Sequence, residues 1–131
     1  MKPILSALFI LFITVPVFAQ ETSTPPNHWL QQVETKYVCM VNDTVFEKPQ
    51  IPVEVGNKTY YGCCMGCVST LQNNKAIRFA IDPVTKNEVD KATAIIAADP
   101  ERKAYYFENT ENLEHFKQLK SEILEPKKSE L

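Results

Sequence analysis

The feature that most constrains this chain is a cysteine cluster in residues 60–67, which read Tyr-Tyr-Gly-Cys-Cys-Met-Gly-Cys. The chain has four cysteines, and the one outside the cluster, Cys39, lies upstream beside Met40. Thiolates are strong ligands for soft metal ions, so cysteines that a fold brings together form a metal site. We therefore expect Cys39 and two of the clustered cysteines to converge on one ion.

Local patterns indicate how the cysteines are brought together. Residues 37–43 suit a strand that carries Cys39 into a tight knuckle turn at its Asn-Asp pair. Residues 51–55 and 58–61 suit two strands joined by a two-residue Gly-Asn turn. Residues 64–72 suit a short helix, so the predicted order is knuckle, β-hairpin and helix, which is a small treble-clef-like unit.

Helix geometry limits which clustered cysteines face the ion. Cys63 and Cys67 can share one helical face, and so can Cys64 and Cys67. Cys63 and Cys64 are adjacent and cannot easily point at the same centre. We favour Cys63 together with Cys67 and keep Cys64 as the alternative. N–H groups at the start of a helix also stabilise thiolates, the form that binds metal.

The second half of the chain repeats the predicted order without cysteines. Aligning Cys39 with Asp82 also aligns Val41 with Val84, and aligning Lys58 with Lys103 pairs the tyrosines that follow. Three polar residues then stand where Cys39, Cys63 and Cys67 stand: Asp82, Glu108 and Asn112.

The secondary structure predicted for this half supports the repeat. Residues 94–97 and 103–107 suit strands, and residues 110–124 suit an amphipathic helix with Thr110 as its N-cap. We predict an α+β chain with a cysteine-bearing unit over residues 36–78 and a cysteine-free unit over residues 79–125.

Both ends of the chain lie outside these units. Residues 1–19 have a basic start, an apolar stretch and small residues at the end, which is typical of a cleaved secretory signal peptide. We therefore expect a secreted or periplasmic protein with no stable membrane span after cleavage. Residues 20–35 suit a leader with a short helix over residues 28–35, and residues 126–131 suit a frayed charged tail.

The charge and the motifs exclude several classes of function. The net charge is −2, and it becomes −3 without Lys2, which argues against nucleic acid or an anionic membrane as partner. The sequence has no Ser-His-Asp set and no paired-carboxylate signature. Three glycines in the whole chain disfavour a phosphate-binding glycine loop. We predict that the protein is not an enzyme.

The donor set predicts one Cu(I) or Zn(II) ion per chain. Three thiolates favour soft ions. Zn(II) takes a fourth ligand in a closed site, and the candidates are Cys64, His28, His115 and Asp43. The sequence does not place any of these residues convincingly at the site. The lack of a clear fourth ligand favours Cu(I). We interpret the two neighbouring methionines, Met40 and Met65, as core residues.

These residues resemble the TRASH and YHS group of domains over most of residues 36–118. The first unit has a single cysteine, Cys39, followed at a distance by the spaced pair Cys63 and Cys67 after an aromatic strand. The second unit has Asp-Pro-Val at residues 82–84 and Tyr-Tyr-Phe at residues 105–107, as in the YHS pattern, with Thr85 in place of its cysteine. The resemblance implies a treble-clef-like fold and a role in heavy-metal sensing, trafficking or resistance.

Three functions remain open from the sequence. The first is an exported protein that stores, carries or delivers Cu(I) or Zn(II), working with a metal-delivery partner protein. The second is a small structural domain stapled by disulfides, such as Cys39 to Cys63 or to Cys67, because exported cysteines tend to oxidise. The third is a thiol–disulfide redox protein that uses Cys64 and Cys67 at a helix start.

Overall fold

The computed structural model describes residues 29–124 of the 131-residue chain. The predicted signal peptide, most of the predicted leader with His28, and the predicted tail lie outside the described residues. No helix within residues 29–124 combines the length and the apolar character needed to cross a membrane. The described part mixes two α-helices with short antiparallel sheets, which confirms the predicted α+β class.

The first unit has the predicted order of knuckle, hairpin and helix. A 3-10 turn leads into the two strands of the knuckle, which are followed by a hairpin of two five-residue strands and by a nine-residue helix. After the short leading strand β1 (Gln31–Gln32), the elements are the 3-10 turn Thr35–Tyr37, β2 (Val38–Cys39), β3 (Thr44–Val45), β4 (Ile51–Val55), β5 (Lys58–Gly62) and α1 (Met65–Asn73).

The second unit repeats this order element for element, including the 3-10 turn at its start. The elements are the 3-10 turn Ala76–Arg78, β6 (Phe79–Ile81), β7 (Glu88–Asp90), β8 (Ile95–Ala98), β9 (Ala104–Phe107) and α2 (Thr110–Leu124). The predicted second hairpin and the predicted long helix are therefore present, with strand bounds shifted by one residue.

The two knuckles share an unusual backbone conformation at the same aligned position. Asp43 has a φ of 52° and Lys86 has a φ of 65°. Aligning Cys39 with Asp82 places these two residues on one another. A positive φ is uncommon outside glycine, and side chains such as Asp tolerate it best. The match supports the repeat independently of sequence identity.

The predicted short helix over residues 28–35 is wrong for the residues that the structure describes. Gln31 and Gln32 form β1 instead, which pairs antiparallel with Ala98 and Ala97 at the edge of the second hairpin. The apolar residues of this segment have helical spacing without forming a helix, because they pack into two different clusters. Leu30 packs in a cluster with Phe107, whereas Val33 packs against the main core.

The hydrophobic core is centred on the β8–β9 sheet, which is covered on both faces. One face contributes Ile96 and Tyr106 to a cluster with first-unit residues that include Met40 and Leu71. The opposite face contributes Ala97 and Phe107 to a cluster that includes Leu113 of α2. Because one sheet carries both clusters, the two units are packed into one body.

Polar contacts also join the units. The Lys91 ammonium, only 3% exposed, donates to the Met40 carbonyl and to the Asp43 carboxylate at 2.7 Å each. In the other direction, Lys58 and the Tyr60 hydroxyl donate to the Asp90 carboxylate at 2.6 and 2.9 Å. A buried ammonium needs such partners, so Lys91 fixes the second unit against the first knuckle.

The shared core predicts that damage in the first unit is felt across the whole chain. Leu71 of α1 is fully buried, so Leu71→Ala should lower the free energy of unfolding by about 2–5 kcal/mol. The only tryptophan, Trp29, packs against Phe116 in the other cluster and reports unfolding there by fluorescence. Leu119→Ala, at a residue 42% exposed on α2, is the matched control and should cost under about 1 kcal/mol. An unchanged Trp29 transition in Leu71→Ala would show that the units unfold separately.

Candidate metal centre

The sulfur atoms of Cys39, Cys63 and Cys67 all lie within 4.8 Å of one another. The Cys39 and Cys67 sulfurs are 3.8 Å apart, and the Cys63 and Cys67 sulfurs are 3.6 Å apart. In a tetrahedral site with metal–sulfur bonds of about 2.3 Å, the sulfurs lie about 3.8 Å apart. All four cysteines are free, since a disulfide requires about 2.05 Å. The three cysteines that the sequence favours therefore form a cluster that could hold one ion.

The fold places each sulfur of this triad through a different element. Cys39 ends β2 and is fully buried, Cys63 follows β5 and is exposed, and Cys67 lies on the first turns of α1 with intermediate exposure. Gly62 permits the close approach of hairpin and helix, because a Cβ at Gly62 would lie 2.9 Å from the Cβ of Cys67. A side chain at position 62 would therefore push the helix that carries Cys67 away from the hairpin.

Backbone N–H groups converge on the Cys39 sulfur. Burial raises the pKa of the Cys39 thiol. Hydrogen bonds from the N–H groups of Asn42, Val41 and Cys63 together lower it by more, so the net pKa is below its usual value. The N–H groups of the knuckle and of Cys63, two residues before α1, thus favour the thiolate form of Cys39. A thiolate is the form that binds a metal ion.

The pKa values of the other two triad thiols shift in the opposite direction from that of Cys39. Burial, together with the thiols of Cys64, Cys63 and Cys39, raises the pKa of Cys67 to about 12. The pKa of Cys63 is raised mainly by its contact with Cys39. Several thiolates this close together repel one another, so without a cation at most part of the cluster ionises. A bound metal ion would supply the positive charge that the cluster needs.

Cys64 lies beside the triad and is not part of it. It is the exposed N-cap residue of α1, and its sulfur is 3.5 Å from the Cys67 sulfur. The N–H of Cys67 is the main cause of a lowered pKa for the Cys64 thiol. The set of mutually close sulfurs contains Cys63 and leaves out Cys64, which agrees with the arrangement that the sequence favours.

The other candidates for a fourth ligand are not gathered at the triad. The Asp43 carboxylate is held by Lys91 at 2.7 Å and by the Tyr106 hydroxyl at 2.8 Å. His115 is exposed on α2 in the second unit. Within residues 29–124, the triad is the only cluster of three or more Cys, His, Asp or Glu side chains close enough to share an ion.

The two methionines differ in their surroundings. Met40 is fully buried in the main core, as predicted. Met65 is 72% exposed, so its interpretation as a core residue is wrong. Met65 occupies the first turn of α1 next to the exposed Cys64, whereas the apolar contacts of α1 run through Val68 and Leu71.

The second unit has a hydrogen-bonded counterpart of the triad, made of Asp82, Glu108 and Asn112. The buried Asp82 carboxylate accepts hydrogen bonds from the N–H of Val84, the N–H of Glu108 and the side-chain amide of Asn112, each at 2.8 Å. Val84 and Glu108 align with Val41 and Cys63, whose N–H groups face the Cys39 sulfur. One acceptor therefore occupies the same place in both units.

The remaining contacts of the counterpart follow the same alignment. The Thr85 hydroxyl donates to the Glu108 carboxylate at 2.7 Å. The aligned pair in the first unit is Asn42 and Cys63, whose side-chain amide and sulfur lie 4.0 Å apart. The Asn109 side chain accepts the N–H of Asn112 at 2.8 Å, so Asn109, aligned with Cys64, caps α2. The prediction of Thr110 as the N-cap is wrong by one residue. Oxygen and amide groups thus join the knuckle to the helix where the first unit has sulfurs.

Sequence reasoning missed Lys91 and Tyr106, which support the first knuckle. Burial and the Asp43 carboxylate raise the pKa of Tyr106, which keeps its hydroxyl a donor. A usable signal was the alternation around β7: Val89 is buried, and Lys91, two residues on, is buried on the same side. Lysine is normally exposed, so its residue type alone does not predict that Lys91 is buried.

Comparisons with known proteins returned nothing: no model of a protein family, no curated protein and no solved structure matches this chain.

The counterpart cluster makes a testable prediction about acid stability. Burial raises the pKa of Asp82, but the N–H groups of Glu108 and Val84 and the amide of Asn112 lower it more, so the folded pKa lies below its usual value. The stabilisation is therefore present above about pH 4 and is lost as the pH falls through the folded pKa. Asp82→Asn should lower the free energy of unfolding by about 1.5–3 kcal/mol at pH 7, because a charged acceptor is lost.

The same substitution also changes the pH dependence. Denaturant unfolding at several pH values between 7 and 3 should show the gap between Asp82→Asn and the unaltered protein closing below pH 4. The other carboxylates are the same in both proteins, so their effects on the free energy of unfolding cancel in this difference. A gap that stays constant with pH would mean that the Asp82 charge does not stabilise the fold.

Proposed function

We propose that this protein binds one soft metal ion, Cu(I) or Zn(II), and serves in metal trafficking, storage or resistance outside the cytosol. The observation that carries the proposal is the approach of the Cys39, Cys63 and Cys67 sulfurs to within 4.8 Å of one another. Thiolate ligands select soft ions such as Cu(I) and Zn(II) over Mg²⁺ or Ca²⁺. The protein acts as a carrier, and no reaction is assigned to it.

The number of sulfurs favours Cu(I). Among the described residues the triad has no fourth member, and Asp43 is engaged by Lys91 and Tyr106. Zn(II) in a closed structural site takes four ligands, whereas soft Cu(I) is satisfied by two or three sulfurs. For Zn(II), the sulfur of Cys64, which lies 3.5 Å from that of Cys67, is the nearest candidate for a fourth ligand.

Two further arguments support a role in metal handling. The resemblance of the cysteine spacing to TRASH and YHS domains links the chain to proteins that handle heavy metals. The signal-like residues 1–19 are typical of export, where a bound ion also protects thiols against oxidation. Both arguments come from sequence patterns alone.

A second candidate is thiol–disulfide exchange through Cys64 and Cys67. It is favoured by the 3.5 Å separation of these sulfurs at the start of α1 and by the exposure of Cys64. It leaves the buried Cys39 and the convergence of three N–H groups on its sulfur without a role. Metal binding accounts for both, so it is the preferred function.

The proposal predicts a steep loss of affinity when one triad sulfur is removed. Cys39→Ser and Cys63→Ser should each weaken Cu(I) binding by about tenfold or more, because two sulfurs still hold the ion but the third bond is lost. Affinity is measured by competition with a coloured Cu(I) chelator, with Zn(II) tested in parallel. Met65→Leu is the matched control, since it removes an exposed sulfur outside the triad and should leave affinity unchanged.

Folding and oxidation are controlled in the same experiment. Cys39 is buried, so circular dichroism must show that Cys39→Ser is folded, and the exposed Cys63 provides a variant without that risk. Metal content and free thiols are measured on protein purified from the exported fraction without chelator. Unchanged affinity in both variants would refute the three-sulfur site. Metal-free protein without titratable thiols would favour a disulfide-stapled domain.

A further inference from the structure

Three of the four cysteine sulfurs lie one after another from the core to the surface. The buried Cys39 lies 3.8 Å from Cys67, and Cys67 lies 3.5 Å from the exposed Cys64. Cys67 is thus the sulfur shared between the triad and Cys64. The buried Cys39 cannot be reached by another protein, so an ion that passes to a partner must give up its bond to Cys39 while an exposed sulfur, Cys63 of the triad or Cys64 beside it, still holds it.

The structural role of Cys64 does not account for its sulfur. Cys64 is the N-cap of α1, and in the second unit the aligned N-cap is Asn109, whose side chain accepts an N–H at 2.8 Å. Asparagine and serine are strongly preferred at this position, and cysteine is not among the preferred residues. The first unit therefore carries a thiol at a position where a hydroxyl or an amide would cap the helix better.

We propose that Cys64 is the exchange ligand through which a Cu(I) ion leaves the triad for a partner with exposed thiolate or thioether donors. This proposal rests on the proposed function. Cys64 is exposed at the start of α1, so the partner contacts this turn. Met65, 72% exposed on the same turn, takes no part in the exchange.

The exchange leaves the oxidation state of the ion unchanged, and protons exchanged with solvent balance every sulfur that gains or loses the ion. The Cys64 thiol loses its proton to solvent, and its sulfur bonds to the ion while Cys67 stays bound. The bonds to Cys39 and Cys63 break, and these sulfurs take up protons from solvent. The ion remains Cu(I) throughout, and two sulfur ligands are sufficient for it. A donor of the partner then replaces Cys64 and Cys67 in turn.

The test separates the rate of transfer from the affinity. The purified full-length protein is loaded with one Cu(I), and transfer to the coloured chelator bicinchoninate is followed by stopped-flow absorbance. Cys64→Ser keeps a good N-cap and removes only the sulfur. It should leave the equilibrium affinity unchanged and slow the transfer by about tenfold or more. Met65→Leu, the control on the same turn, should transfer at the rate of the unaltered protein.

Each other outcome overturns the proposal in a recognisable way. Transfer by Cys64→Ser at the unaltered rate would show that the ion leaves without Cys64. A parallel loss of affinity would make Cys64 a resident ligand. Equal slowing in Met65→Leu would assign the effect to the surface and not to the thiolate. If the unaltered protein fails to bind one Cu(I), the proposed function fails first, and the stoichiometry measured before the transfer step reveals it.

Discussion

In each unit, one buried side chain joins the knuckle to the start of the helix, and the rest of the structure depends on this contact. Cys39 in the first unit and Asp82 in the second receive N–H groups from their own knuckle and from the residue two before the helix. Each acceptor holds together segments that are far apart in the sequence. Both knuckles also have a positive φ at the aligned residues Asp43 and Lys86.

The two units therefore join the knuckle to the start of the helix with different side chains. In the second unit, the carboxylate of Asp82 and the amide of Asn112 hydrogen-bond directly at 2.8 Å and complete the contact by themselves. In the first unit, the aligned sulfurs of Cys39 and Cys67 are 3.8 Å apart, which is the spacing of two ligands that share one ion. Lys91 then joins the two units by holding the carbonyl of Met40, the residue after Cys39.

The sequence was sufficient where the signal is local. The hairpins, α2 and the triad follow from turn residues, from apolar spacing and from the number of residues that separate the cysteines. The element pairing that failed was non-local: β1 is a strand because the edge of β8 is available to it, and nothing within residues 28–35 encodes that edge. Lys91 was missed for the same reason, since its partners lie in the other unit, and Met65 was misread because an apolar residue was assumed to be buried.

The convergence of N–H groups on Cys39 has a further consequence for how binding free energy is used. Small zinc domains commonly fold only when the metal binds, so that much of the binding free energy is consumed in ordering the chain. Here the main core includes residues of both units, and the two neighbours of Cys39 in the chain, Val38 and Met40, belong to it. Cys39, fully buried between Val38 and Met40, is positioned by the packing of these two core neighbours. An ion bound as proposed would therefore meet a ligand that the core already positions.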